Sequence, residues 1–469
     1  MIPRMLNATC GGSPPTRRCL LFLLLLVACV PGFSQYRIIG YYPMWSRSAL
    51  PPQAMKFVFL THVMHAFAWP QADGSIAFGE GTVDTALIHA THRAGRKILL
   101  SFGGAAQSGA FAQVAADSAL RRAFIDNVVA HLTAYEYDGA DMDWEGPQNA
   151  AERANEATLI RELHEAFRAA DTSWIITMAV GVTNWSGQWH DFASLRISVA
   201  WFNAMTYDFH GSWSSHAGHN APLYVPAWEY DGSVDQGIRY LNETRGIPAS
   251  QLALGLPFYG RNFLATALYA PKTEPTTDVT YSDIPAKLAH NWAYTWDPVA
   301  QVPYLIAPSG TQLTTFDDTT SLVLKCAYAK AKGLSGVMIW ALGQDLVAGQ
   351  QVLLDAVGRT MGGPSRTDDG DPLARSFVLY QNYPNPFNPS TTIRYSLERR
   401  RGVRLAVYDA IGQEVAMLVN GTMEAGTHEV RFDGSRSASG VYFCRMFLTP
   451  DRGGEPLASV QTVKLILLR

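Results

Sequence analysis

Apolar runs recur through residues 36–342 with room for a helix between each and the next: YRIIGYY, THVMHAFAW, RKILLSFGG, YDGADMDWE, SWIITMAVG, VAWFNAMTYD, LALGLPFYG and GVMIWAL. Each is short, rich in β-branched and aromatic residues and bounded by turn formers, the pattern of a strand buried on both faces. Between them the period changes. Phe124, Val128 and Leu132 make a stripe at i, i+4 and i+8, and Leu159, Leu163 and Phe167 repeat it, which marks helices laid against a sheet. Eight such alternations predict an α/β fold, a parallel (β/α)8 barrel over residues 35–362.

Two stretches break the alternation. Residues 262–317 are rich in β-branched and aromatic residues and interrupted by Pro and Gly, which predicts a small α+β insertion after strand seven. Leaving the barrel at the C-terminal ends of its strands, it is expected to form one wall of the cleft where barrel active sites sit. Residues 363–375 have no apolar period and read as a linker, whose three aspartates suit a solvated segment better than a calcium site. Beyond it, over 376–469, the short alternating runs TTIRYSL, VRLAVYDA, HEVRFDG, GVYFCRMF and QTVKLILLR predict an all-β sandwich.

Composition narrows the class. Of 469 residues 48% are hydrophobic and 16% charged, enough apolar surface for a large core. A net charge of −3 gives no electrostatic case for nucleic acid, and the short run LERRRGVR reads as a solvated turn. Arg4, Arg17 and Arg18 precede the apolar CLLFLLLLVACV and then PGFSQ, which predicts an export signal over residues 1–34. Cleavage after Ser34 is one reading, LVAC with Cys29 as a lipidated residue another, and a twin-arginine signal a third. Only Cys326 and Cys444 remain beyond the signal, in different predicted domains, so a disulfide framework is not expected. No CxxC or HExxH pattern supports a zinc site.

One apolar run is unusual. YDGADMDWEGP, residues 137–147, holds Asp138, Asp141, Asp143 and Glu145 among small and apolar neighbours. The last three fall at i, i+2 and i+4, so a strand puts them on one face and Met142 and Trp144 on the other. In a barrel that face points inward, with Glu145 at the catalytic rim. A merely structural strand would not bury unpaired charge. Close carboxylates raise one another's pKa, which lets Glu145 stay protonated near neutral pH as a general acid.

Residues 138–145, DGADMDWE, match the signature DGxDxDWE, and the chain resembles glycoside hydrolase family 18, the chitinases. SFGG (101–104), MTYDFHGSW (205–213), GLPFYGR (255–261), FDDTTSL and GVMIW resemble further family motifs in the same order, so the likeness covers residues 36–350. It implies retaining, substrate-assisted hydrolysis of β-1,4 bonds between N-acetylglucosamine units of chitin or chito-oligosaccharides, without a cofactor. Glu145 would protonate the leaving oxygen, and the substrate's 2-acetamido carbonyl would be the nucleophile. Asp143 would orient that group, Asp141 modulate Asp143, Tyr207 bond the acetamido oxygen and Asp208 help hold the distorted sugar. Trp340 would floor the subsite and Arg261 contact substrate from strand seven. Tyr41, Trp45, Phe67 and Trp213 are candidate rim aromatics, and Met205 joins the substrate-binding candidates. His210, His216 and His219 suggest a metal cluster by type, but their loop position and the family's lack of a metal role argue against one. Gly146 departs from the aromatic residue that many members carry after the acid, which bears on loop shape.

The last 90 or so residues have their own likeness. LYQNYPNPFNPSTTIRYSL, VYDAIGQEVAMLVNG, GTHEVRFDGSRSASGVYF and TVKLILLR resemble the type A sorting domain of the bacterial type IX secretion system, whose members resemble immunoglobulin-like sandwiches. This implies passage through that machinery and a secreted or surface-attached enzyme, expected to work as a monomer. A carbohydrate-binding or spacer sandwich is the alternative. Rival functions are an endo-β-N-acetylglucosaminidase or peptidoglycan hydrolase with the same mechanism, and a non-hydrolytic chitin-binding lectin, against which the presence of Glu145 stands.

Overall fold

The computed structural model describes residues 36–362 except 80–82, 106 and 226–231, and residues 377–468 except 381, 383, 398, 410–412 and 450–459. The export signal and the predicted linker lie outside these residues. Contacts divide the chain into two units between Ser365 and Arg366.

In the first unit the eight apolar runs become β1 (Arg37–Pro43), β2 (His62–Pro70), β3 (Lys97–Gly103), β4 (Gly139–Asp143), β5 (Ile175–Val180), β6 (Trp201–Ala204), β7 (Leu252–Pro257) and β8 (Gly336–Trp340). Each pairs in parallel with the next, and β8 returns to β1 with Gly336 opposite Arg37, closing the barrel. Both predicted stripes are buried, on helices Ser118–Tyr135 and Ala150–Ala170. Asp117 and Asn149 cap these helices by accepting two backbone amides each, which fixes where each helix starts.

The alternation predicted for β4 holds. Met142 and Trp144 pack outward into the layer between barrel and helices, Trp144 stacking on Phe111 with ring centroids 5.3 Å apart, while Asp141 and Asp143 are buried on the other face. Asp138, just before the strand, is at the opposite end of the barrel from Glu145. It accepts from Lys97 Nζ at 2.9 Å, His92 Nε2 at 3.0 Å and the Ile98 amide at 2.8 Å.

The insertion is a five-stranded antiparallel sheet of Thr273–Thr280, Tyr259–Leu264, Leu313–Thr315, Val302–Ile306 and Ala293–Asp297, with helix Ile284–Ala289. It begins at Tyr259 rather than at 262, because Tyr259 already pairs with Thr280. Ala217, from the loop after β6, shares a cluster with Phe263 and Leu313, so that loop and the insertion pack as one wall. Where the sheet returns to the barrel, Lys325 Nζ bonds both oxygens of Asp317 at 2.6 and 2.7 Å, and both side chains are buried.

The second unit is a pair of antiparallel sheets around one core. Phe377–Leu379, Ser390–Leu397 and Gly426–Asp433 form one sheet, and Glu414–Met423, Arg401–Tyr408, Gly440–Thr449 and Val460–Leu467 the other. Ile393, Tyr395, Leu405, Cys444, Met446 and Leu465 fill the space between. Strands Phe377–Leu379 and Glu414–Met423 were not among those predicted: one is three residues long, and the other is an edge strand without a continuous buried face. The Asn/Pro run makes a tight turn in which amide side chains stand in for backbone that proline cannot supply. Asn385 donates to the Lys464 carbonyl at 3.0 Å and accepts from the Ile466 amide at 2.8 Å.

Removing one member of a buried ion pair strands the other's charge. Lys325→Met is therefore expected to lower barrel stability by about 3–5 kcal/mol in chemical denaturation. Adding Asp317→Leu should recover more than half of that loss.

Candidate active site

Four strands converge on Asp141. Its Oδ2 accepts from Tyr41 Oη (β1) and Ser101 Oγ (β3), each at 2.7 Å, and its Oδ1 from Thr177 Oγ1 (β5) at 2.5 Å and Asn203 Nδ2 (β6) at 3.2 Å. Burial raises the pKa of this carboxyl and the four donors oppose it. Asn203 is itself set by Trp201 Nε1, which donates to its Oδ1 at 3.0 Å.

One step up the strand the surroundings change. Asp143 is 5% exposed, and its Oδ1 is buried without a hydrogen-bond partner. Burial, then the charges of Glu145 and Asp141, push its pKa well above the usual carboxylate range. Glu145 stands at the rim, open to the cleft, and is raised by partial desolvation and by the charge of Asp208 across from it. Gly103 makes this strand end possible. Its φ is +117°, and a Cβ there would lie 2.1 Å from the Asp143 carbonyl oxygen. Gly146 has φ +92° with open space around it, so glycine is favoured there by the turn and not by crowding.

The loop after β6 supplies the opposite side. Tyr207 lies partly buried with its hydroxyl 3.8 Å from Met338 Sδ, and burial followed by the charges of Asp143, Asp208, Glu145 and Asp141 holds it protonated. Asp208 takes φ +61° and accepts from Tyr259 Oη and Arg261 Nη2, each at 2.5 Å. Arg261 also pairs with Asp278 of the insertion and lies over the Trp213 ring, 5.3 Å from its centroid. Trp213 is 62% exposed. Trp340 ends β8 half-buried, with Phe67 stacked 5.7 Å away and the exposed Trp45 edge-on at 6.4 Å. Met205 is partly buried in the cluster beneath.

One expectation needs correction. Tyr41 is not a rim aromatic: it is 1% exposed, packs below Trp340 at 5.6 Å and spends its hydroxyl on Asp141. Thr177, Asn203 and Tyr259 were not singled out from sequence. The first two carried a signal, since each is a polar residue inside an otherwise apolar strand. His210 Nδ1 lies 2.9 Å from the His219 carbonyl, His210 and His216 approach through their Nε2 atoms at 3.3 Å, and His219 pairs with Asp297 at 3.1 Å. Among the described residues no group of three or more metal-binding side chains converges.

The model for "Glycosyl hydrolases family 18" matches residues 37–345. The chain belongs to glycosyl hydrolase family 18. Residues 381–447 match a secretion system C-terminal sorting domain. The family 18 chain is similar to Chitinase A1 of Niallia circulans, 28% identical over 69% of this chain and 60% of that protein. It is 31% identical to a probable endochitinase of Caenorhabditis elegans, over 65% of this chain and 55% of that one. It thus spans less than two thirds of the length of these relatives. The crystal structure of Ostrinia furnacalis Group IV chitinase in complex with allosamidin is similar with a TM-score of 0.64 at 25% identity, covering 70% of this chain and 99% of that one.

Asp143's folded pKa lies above its unfolded value of about 3.9, so its contribution to stability is full below about pH 4 and is lost as pH rises through the folded pKa. The family 18 barrel is therefore expected to melt a few degrees higher as Asp143→Asn than as wild type at pH 7. Calorimetry should find that gap closing toward about pH 4.

Proposed function

We propose that this family 18 barrel is a chitinase hydrolysing β-1,4 bonds between N-acetylglucosamine units with retention, and that Glu145 is its acid and base. The observation that carries the reading is the graded row on β4: Asp141 saturated by four donors, Asp143 buried with an unpartnered oxygen, Glu145 raised in pKa and open to the cleft.

Glu145 enters protonated and gives its proton to the leaving glycosidic oxygen. The row has no second carboxylate free at the cleft to attack the anomeric carbon, as the common two-carboxylate scheme needs. Asp143 is buried, and Asp208 is engaged by Tyr259 and Arg261. The acetamido carbonyl of the substrate closes on that carbon instead, and the resulting positive charge falls where Asp143 lacks a partner. Asp143 takes the acetamido N–H, Tyr207 turns its hydroxyl from the weak thioether acceptor of Met338 to the acetamido oxygen, and Trp340 lies under the sugar face. Glu145, now a base, removes a proton from the water that opens the ring. Asp141 keeps its donors throughout and adds to burial and the charge of Glu145 in holding Asp143 high in pKa.

The likeness of residues 381–447 to a sorting domain supports delivery of the enzyme outside the cell, secreted or held at the surface, by the type IX machinery. The names of the relatives support chitin as substrate.

Full-length protein incubated with chitin oligosaccharides is expected to release chitobiose, seen by mass spectrometry, and Glu145→Gln to lose about 10²–10⁴-fold in rate. The alkaline limb of kcat/KM should lie above the usual glutamate value of about 4.3. Cleavage only of a high-mannose glycopeptide or of peptidoglycan would keep the mechanism and move the substrate. Binding without cleavage would overturn the enzyme reading.

A further inference from the structure

Beyond Asp143 the chain leaves the barrel in a tight turn with Glu145 at its apex, closed by the Gly146 amide donating to the Trp144 carbonyl at 2.7 Å. A side chain from another element holds this turn. Ser108, in the loop after β3, accepts from the Glu145 amide at 3.2 Å. Its hydroxyl has the carbonyl oxygens of Asp143 and Gly104 as acceptors, each also at 3.2 Å. One oxygen thus reaches the backbone of both carboxylates that the reaction needs.

The fold is joined at this place without Ser108. The Gly104 amide already donates to the Asp143 carbonyl at 3.0 Å, and Phe111, three residues past Ser108, stacks on Trp144. What Ser108 adds is the bond to the Glu145 amide. Glutamate has a long side chain, and the direction of its carboxyl is set only as well as the peptide that carries it. We propose that Ser108 is a positioning residue for the acid, its hydroxyl fixing the Glu145 backbone against Asp143 so that the carboxyl is presented inward over the barrel mouth. The role requires a group that both accepts and donates, which serine and threonine satisfy and alanine does not.

The consequence reaches the chemistry by two routes. A displaced acid transfers its proton poorly, since misplacement by about 1 Å can cost about 10² in rate. An acid tipped toward water also loses part of the desolvation that raises its pKa. Glu145 acts protonated, so a lower pKa moves the alkaline limb to lower pH.

The inference rests on Glu145 being the acid, and the test separates the two claims. Full-length wild type, Ser108→Ala, Ser108→Thr and Glu145→Gln would be assayed on an aryl glycoside of chitobiose across pH, beside melting curves. Ser108→Ala is expected to lose about 10- to 100-fold in kcat with KM little changed, and to shift its alkaline limb to lower pH. Ser108→Thr should recover most of the rate and the limb. A Ser108→Ala protein with the wild-type rate and limb would overturn the proposal, and so would a lowered melting temperature with an unmoved limb. Unimpaired Glu145→Gln would instead sink the reading of the acid.

Discussion

A strand inside a closed parallel barrel has one face sealed from bulk water except at its ends, and a carboxylate on that face must be matched by donors or stay protonated. β4 carries two acids on that face and a third at its mouth, two residues apart each time. They coexist because the barrel grades their surroundings from the interior of the strand to the tight turn beyond its end. Asp141 is deep and satisfied, Asp143 shallower and wanting a partner, Glu145 at the edge of water. The chemical capacity of the site follows from that gradient.

Its lower end depends on residues scattered over much of the barrel. Tyr41, Ser101, Thr177 and Asn203 each bring one donor from a different strand, and Trp201 under Asn203 closes the floor with the Arg37 guanidinium 4.6 Å from its ring centroid. Its upper end depends on the loop after β6 and the insertion. Tyr259 and Arg261 both donate to Asp208, Arg261 bringing the opposite charge, and Arg261 ties that loop to Asp278. The insertion is thus joined to the charge balance opposite Glu145 as well as walling the cleft. Asp143, its Oδ1 buried without a hydrogen-bond partner, is a local cost in stability.

Much of this was legible in the sequence, for reasons that can be named. The eight strands and the two helical stripes were readable because a doubly buried strand and a helix against a sheet each impose a period on apolar residues. The acids were readable because their spacing of two has one geometric meaning on a strand. Thr177 and Asn203 carried a signal as polar residues in apolar strands, but that they and Tyr41 and Ser101 all donate to Asp141 was not readable, since the four lie 36 to 100 residues from it in sequence and only barrel closure brings them together. Tyr41 was misplaced for the same reason: its residue type suits a rim as well as a core, and which end of β1 it faces is set by the register with β2 and β8. Ser108 lies in a short loop of mostly Gly and Ala that carries no period at all.

In the proposed reaction the substrate's own acetamido group, steered by Asp143, does the work of a nucleophile. The most direct measurement is to digest partly de-N-acetylated chitosan with the full-length enzyme and sequence the new chain ends by mass spectrometry. Essentially every new reducing end is expected to carry an N-acetyl group, because a unit with a free amine in the reacting subsite has no carbonyl to close the ring. New reducing ends bearing free amines in proportion to their abundance in the polymer would contradict the proposed reaction.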